Sequence, residues 1–253
     1  EEGQRVIATP QLPNGAFSQY VAVSEENVFL IPDSMDLKDA ASMFVTYHTV
    51  YYALKQCTTL KEGETLLVHA ASGGVGSAAV QIGNAFGATV IATAGNDEKV
   101  QVCKEIGADY AINYRAEDFV QKVKEITNGK GADVVFDPVG GEVFYKSRKC
   151  IAFAGRILII GFAGGEIPSA PTNHILVKNY SLVGVHWGYF RKLYPEKVIE
   201  NHQALMNLYQ EGLIKPLIYK AYAFKQLPDA LDELATRKTW GKVVLNLNED
   251  GGM

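Results

Sequence analysis

The stretch Thr65-Leu66-Leu67-Val68-His69-Ala70-Ala71-Ser72-Gly73-Gly74-Val75-Gly76 decides the fold. A strand-length apolar run leads straight into a glycine-rich turn, and a helical pattern with small residues on one face follows from Val75 to Phe86. Glycines at such a turn let the backbone approach a pyrophosphate, and a helix starting there offers free N–H donors and the positive end of its dipole. The usual dinucleotide fingerprint begins with glycine; Ala71 stands at that position and keeps a small residue at the tight turn. A generic tight β–α turn also carries glycines. The strand before, the helix after and a second strand at Ala88–Thr93 favour the dinucleotide reading.

Working outward, strand and helix patterns alternate. A helix over Glu98–Ile106 ends at Gly107, and Tyr110–Ile112 makes a short strand. A helix over Ala116–Thr127 precedes a strand over Ala132–Asp137, and a helix over Glu142–Cys150 precedes a strand over Gly155–Gly161. Tyr180–Val185 is the last of these strands, and a helix covers Glu196–Glu211. Continuous apolar strands between amphipathic helices mean a parallel sheet covered on both faces, an α/β doubly wound fold of the Rossmann kind. On either side the pattern changes. Residues 1–35 are short β-prone runs broken at Pro10, Pro13-Asn14-Gly15 and Pro32-Asp33-Ser34. A helix then runs from Asp36 to about Lys55, with Asp36 or Ser34 as its N-cap. The tail from Ile214 to Leu247 returns to short strands plus one helix over Pro228–Thr236.

Composition narrows the function. The chain has 253 residues, 47% of them hydrophobic, and a net charge of −4, a balance that argues against nucleic acid as a partner. Apolar runs such as Arg156–Phe162 are strand-length, far short of the roughly 18 residues that span a bilayer, so no membrane partner is expected. Cys57, Cys103 and Cys150 are scattered and form no CxxC pair. They read as inert buried thiols in a reducing intracellular compartment, cytoplasm or mitochondrion. The chain starts at Glu1 with Gly3–Ala8 reading like the middle of a β-structure, so a preceding segment is expected.

The tip of the second strand speaks to the cofactor. NAD-preferring folds carry a carboxylate there, about 20 residues after the fingerprint, to bind the ribose 2′-hydroxyl. Here the tip is Thr93-Ala94-Gly95-Asn96, without a carboxylate, and Lys99 follows. That suits a 2′-phosphate and hence NADP(H), although Asp97 and Glu98 stand close and Lys99 also reads as a solvated first-turn lysine.

These residues resemble the quinone oxidoreductase branch of the medium-chain dehydrogenase/reductase family, which includes the zeta-crystallin-like enzymes. The resemblance runs along essentially the whole chain. It rests on His69–Gly76, Ile112-Asn113-Tyr114-Arg115, Phe136-Asp137-Pro138-Val139-Gly140-Gly141, Gly155-Arg156 leading to Gly161-Phe162, and the ending Thr236–Val244. It implies a Rossmann NADP-binding domain over 43–211 and a partial GroES-like β-barrel domain from 1–42 and 212–253, with several dozen residues of the usual barrel missing ahead of Gly3. It implies that Ser72, Gly73, Gly74 and Val75 face the pyrophosphate. Gly95, Lys99 and Tyr114 would line the 2′-phosphate, with Arg237 a further candidate. Thr49 would meet the nicotinamide half, and Val139 would lie near the cofactor. Ile160, Gly161 and Phe162 would end a strand at the ligand-binding edge, with His186 and Trp187 closing the cleft.

The resemblance further implies a zinc-free hydride transfer from NADPH to a quinone or activated enone. The position of a zinc ligand in the wider family is Val45 here, and His48 nearby stands without metal partners. No catalytic side chain stands out; Tyr47 and Tyr52 are near Thr49 only in sequence. The alternative is a non-catalytic NADPH-binding relative or a shortened isoform without a full substrate site. Ser181–Val185 reads as an apolar edge strand whose two-fold pairing would give a homodimer.

Overall fold

The structure is a computed structural model that describes every residue except Leu12, Asn14 and 248–253, so Asn14 of the expected turn and the last residues of the tail lie outside it. The outer segment opens with β1 (Val6–Ala8) and β2 (Val28–Leu30), followed by α1 (Leu37–Tyr51), capped by Asp36, whose carboxylate accepts from Lys38 N. The helix loosens into a π-helical segment over Tyr52–Cys57. The central unit then runs β3 (Thr65–Val68), α2 (Gly74–Ala85), β4 (Thr89–Ala94), α3 (Asp97–Glu105), β5 (Tyr110–Asn113), α4 (Phe119–Ile126), β6 (Ala132–Asp137), α5 (Gly141–Ser147), β7 (Ile151–Ile159), α6 (Thr172–Lys178) and β8 (Ser181–Gly184). It closes with α7 (Trp187–Leu193), α8 (Pro195–Gln210), β9 (Ile218–Ala223), α9 (Leu227–Ala235) and β10 (Lys242–Asn246).

The six central strands are all parallel in the order β5-β4-β3-β6-β7-β8. The chain winds outward from β3 in both directions, so the order reverses between β3 and β6, where open α/β sheets bind ligands. Alternate side chains point to opposite faces. Leu66, Val68, Val90, Phe136 and Leu158 enter one apolar core with α1, α2 and α8, while Leu67, Ile91, Val135 and Ile157 enter a second with α4 and α5. Both faces are buried, which is why these strands read as unbroken apolar runs.

Two expectations are corrected. The strand read over Gly155–Gly161 begins at Ile151 and ends at Ile159. A register shift against β6 and a left-handed Ala154 (φ +58°) carry the pairing through a bulge. Two further helices, α6 and α7, fall between the expected elements. The first buries none of its residues and the second only Trp187, so neither has an apolar stripe to detect. Among the described residues the outer segments form a two-stranded antiparallel sheet, β1–β2, and a separate two-stranded parallel sheet, β9–β10.

An aromatic cluster joins the outer segment to the central unit. The Arg191 guanidinium lies 5.2 Å from the Phe44 ring centre and 5.8 Å from those of Phe29 and Trp187, and it donates to Thr9 Oγ1 and Asn27 Oδ1. Beside it, His202 Nε2 donates to Leu30 O (2.8 Å), which leaves His202 Nδ1 bare to accept from His48 Nε2 (3.4 Å). Across the sheet His69 is buried between Thr93 Oγ1 (2.9 Å) and Ser147 Oγ (2.8 Å), linking β3, β4 and α5.

All three histidines are held neutral. Burial pushes His48 down to about 3, helped by His202 and Arg191; burial pushes His69 down to about 4 against the pull of Asp137; burial also lowers His202. The unfolded chain therefore binds these protons first, near the ordinary value of 6.5. Their contribution to stability is complete above that pH and is lost as pH falls from 6.5 toward 4. Melting curves should show a lower Tm at pH 5.0 than at pH 7.5, and an unchanged Tm would contradict this reading of the histidines.

Candidate cofactor site

The glycine loop is built on one left-handed residue. Ala70, not Ala71, takes the positive φ (+49°), and its carbonyl accepts from Gly73 N (2.9 Å). Gly76 then packs so closely that a Cβ there would lie 2.2 Å from Ala70 O and 2.7 Å from Ala71 Cα. Glycine at this point is a condition of the close helix–strand packing. The result aims the start of α2 at the end of β3, with Gly73 at its N-cap and no side chain capping it. The unpaired N–H groups of a first helical turn are the donors that an anion requires. Ser72 is buried, and Gly73, Gly74 and Val75 are half-buried around that point.

The tail returns to this loop. Gly241 N donates to Ser72 O (2.6 Å), Gly73 bridges Gly241, and the Lys242 side chain lies so close to Gly74 that a Cβ there would sit 2.7 Å from Lys242 Cδ. Burial lowers the Lys242 ammonium. The sequence reading passed over Lys242 as part of a strand; the glycine before it, with φ +56° and no room for a Cβ against Leu217 O, is the signal that marks a close approach.

At the tip of β4, the expected 2′-phosphate residues come together. Tyr114 Oη lies 2.9 Å and Arg115 Nε 3.7 Å from the Cβ position of Gly95. Lys99 Nζ donates to Arg237 O (2.9 Å), joining α3 to the segment after α9. Burial lowers the Lys99 ammonium, Glu98 raises it, and nearby Arg115 lowers it again. Asp97 accepts from Asn113 Nδ2 (2.7 Å). Arg115, the last residue of the landmark Ile112–Arg115, brings its guanidinium beside Gly95 and adds a cationic side chain to Lys99 there.

The far half of the cleft is stitched at the ends of β6 and β7. Buried Asp137 accepts from Val139 N (2.8 Å) and Gly140 N (3.0 Å), and Ala163 N and Gly164 N donate back to Pro138 O and Val139 O. Gly140 has φ +74° and lies against Phe162, whose ring is 40% exposed, with Ile160 and Gly161 half-buried beside it. Thr49 Oγ1 donates to Val45 O (2.6 Å) within α1, so its remaining capacity is as an acceptor. His186 is exposed and caps α7 through Nδ1, which accepts from Tyr189 N (2.9 Å). Trp187 is 7% exposed and packs on Phe44 and His48 as part of the aromatic cluster. Tyr47 is buried with its hydroxyl donating to Gln81 Oε1 (2.8 Å), and burial pushes Tyr52 up to about 12, so neither offers a proton readily.

The family model described as zinc-binding dehydrogenase matches residues 74–204. The chain is 38% identical to a quinone oxidoreductase-like protein 2 homolog of Nematostella vectensis over 250 residues, 98% of this chain and 68% of that protein. Among solved structures it resembles the quinone oxidoreductase of Pseudomonas syringae pv. Tomato, with a TM-score of 0.85 and 32% identity over 96% of this chain and 74% of that one. It also resembles the Escherichia coli quinone oxidoreductase complexed with NADPH, with a TM-score of 0.82 and 30% identity over 90% of this chain and 71% of that one. The chain belongs to the quinone oxidoreductase branch of the medium-chain dehydrogenase/reductase family. The zinc in the broader family's name finds no donor set here. Val45 cannot ligate a metal, His48 Nε2 is engaged by His202, and no group of three or more His, Cys, Asp or Glu that could hold a metal exists among the described residues. Cys57, Cys103 and Cys150 are free and separate. No helix of the described residues is long and apolar enough to cross a membrane.

Replacing Gly76 tests the loop in this oxidoreductase. Gly76→Ala must push α2 away from Ala70 O at a cost of about 3 kcal/mol. A clearly lowered Tm together with loss of dinucleotide affinity is expected; a variant with wild-type Tm and affinity would contradict the close packing.

Proposed function

We propose that this chain binds NADPH across the switch point of its sheet and delivers hydride to a quinone or an activated enone. The observation that carries the proposal is the cationic corner at the β4 tip, where Tyr114 and Arg115 flank Gly95, Lys99 lies near enough to feel the Arg115 charge and donates to Arg237 O, and Asp97 is engaged by Asn113. The glycine loop gives a cradle for the pyrophosphate a fixed distance away, and the NADPH complex of the Escherichia coli relative supports the same cofactor.

When bound, NADPH supplies a hydride from C4 of its nicotinamide, and a conjugated acceptor spreads the developing charge without a metal. The protein positions and shields. Ser72–Val75 and Lys242 hold the pyrophosphate, and Lys99, Arg115, Arg237 and Tyr114 hold the 2′-phosphate. Thr49 accepts from the carboxamide end, Val139 and Ile160–Phe162 wall the nicotinamide half, and His186 stands at the rim. The outer segments, 1–42 and 212–253, belong to the substrate-side lobe and 43–211 to the cofactor domain. A second reading, a cofactor-binding relative without turnover, is favoured by one observation: the outer segments form two separate small sheets among the described residues.

NADPH oxidation with 9,10-phenanthrenequinone separates these readings. Turnover supports the reductase, and absent turnover with retained NADPH binding supports the second reading. For the cofactor, Lys99→Ala should weaken NADPH by about tenfold to a hundredfold, as loss of a charged hydrogen bond does, with little change for NADH. Equal losses for both would contradict the 2′-phosphate role.

We also propose a homodimer paired through β8. That strand is the sheet's edge and pairs with β7 alone, and the helix before it exposes Leu176 (79%) and Val177 (80%). A dimer mass in light scattering at micromolar protein is expected, and a monomer mass would refute it.

A further inference from the structure

At the opposite edge of the sheet from the cofactor loop, a cavity of about 240 Å³ opens between the starts of β6 and β7. Four lysines ring it: Lys124 in the last turn of α4, Lys130 before β6, Lys149 before β7, and Lys178 at the end of α6. They come from three stretches of chain, around 124–130, 149 and 178, so no local sequence pattern announces them. β6 connects the two edges. Ala132 opens it beside the cavity and Asp137 ends it beside the cofactor cleft, about 17 Å away at the ordinary rise of a strand.

The charges are only partly compensated. Lys178 Nζ donates to Arg148 O (3.2 Å) and Lys149 O (3.3 Å), which fixes the ammonium and leaves one of its three N–H donors over. Lys130 pairs with Asp133 (2.8 Å). Among the described residues, neither Lys124 nor Lys149 has a carboxylate within ion-pair distance. The carbonyl ends of the neighbouring helices each offset about half a charge at most. Asp133, Asp118 (near enough to act on Cys150) and the ends of α4, α5 and α6 offset much of the charge of the four lysines and leave a net positive charge at one concave point. Burial and the repulsion of Lys124 both lower the Lys178 ammonium, which an anion would relieve. The floor is Cys150, whose thiol burial pushes up to about 12 despite the lysines, so the site holds a ligand without covalent chemistry. Phe153 stands on the rim, 76% exposed, and offers an apolar platform next to the charges.

We infer that this cavity is a second anion site, for the phosphate of a phosphorylated small molecule whose apolar part lies on Phe153. The lysines match a phosphate dianion in charge, and the volume admits one phosphate group with a small substituent.

The test titrates the chain at low ionic strength with inorganic phosphate and with phenyl phosphate, reading backbone amide shifts of Gly131 and Ile151. Both ligands should shift these amides, with phenyl phosphate several-fold tighter. Lys124→Gln combined with Lys149→Gln, two exposed residues outside the cofactor site, should weaken both ligands at least tenfold and leave dinucleotide affinity and Tm unchanged. Phe153→Ser should weaken phenyl phosphate to the level of inorganic phosphate. Equal affinity of the two ligands in the wild type would assign the site to free phosphate and overturn the role of Phe153. Binding that Lys99→Ala abolishes and the double lysine variant leaves intact would place the phosphate in the cofactor loop and overturn the proposal. So would absence of phosphate binding together with lysine-dependent binding of single-stranded RNA or of phosphatidylserine vesicles.

Discussion

One backbone carbonyl organises the cofactor half of this molecule. Ala70 O accepts from Gly73 N and sits where a side chain on Gly76 would have to go. That contact turns the chain out of β3 in the fewest residues and drops α2 onto the sheet. It leaves the first turn of the helix facing the switch point. The tail depends on the same turn, because Ser72 O, presented by it, is what Gly241 N reaches. Lys242 is delivered to Gly74 only because of that clasp.

The second constraint is the neutral, aromatic joint under the cleft. Arg191 is the one charge in it. It is satisfied by Thr9 and Asn27 from the outer segment and by three aromatic faces. His48 and His202 share a single ordered set of protons fixed by Leu30 O. Such a joint holds α1, and with it Thr49, at a set height beside the cofactor loop.

Much of this was legible in the sequence because the signals are local. Strands buried on both faces leave unbroken apolar runs, and the glycine turn sits between one such run and its helix. Lys99 was legible because it follows the tip of β4 by a few residues. Arg115 and Lys242 were not, since each reaches the site by long-range pairing, Arg115 through the register of β5 on β4 and Lys242 through β10 and its clasp. The packing of Trp187 on Phe44 was not legible, because it joins residues far apart in the chain. The helices α6 and α7 carry almost no buried residues and so leave no periodic trace.

The cationic corner at Gly95 is proposed to select a phosphorylated ribose. The direct measurement is the pair of dissociation constants of the unmodified chain for NADPH and NADH, taken by calorimetry in one buffer. NADPH tighter by at least tenfold is the expected result, and equal affinities or a preference for NADH would contradict it.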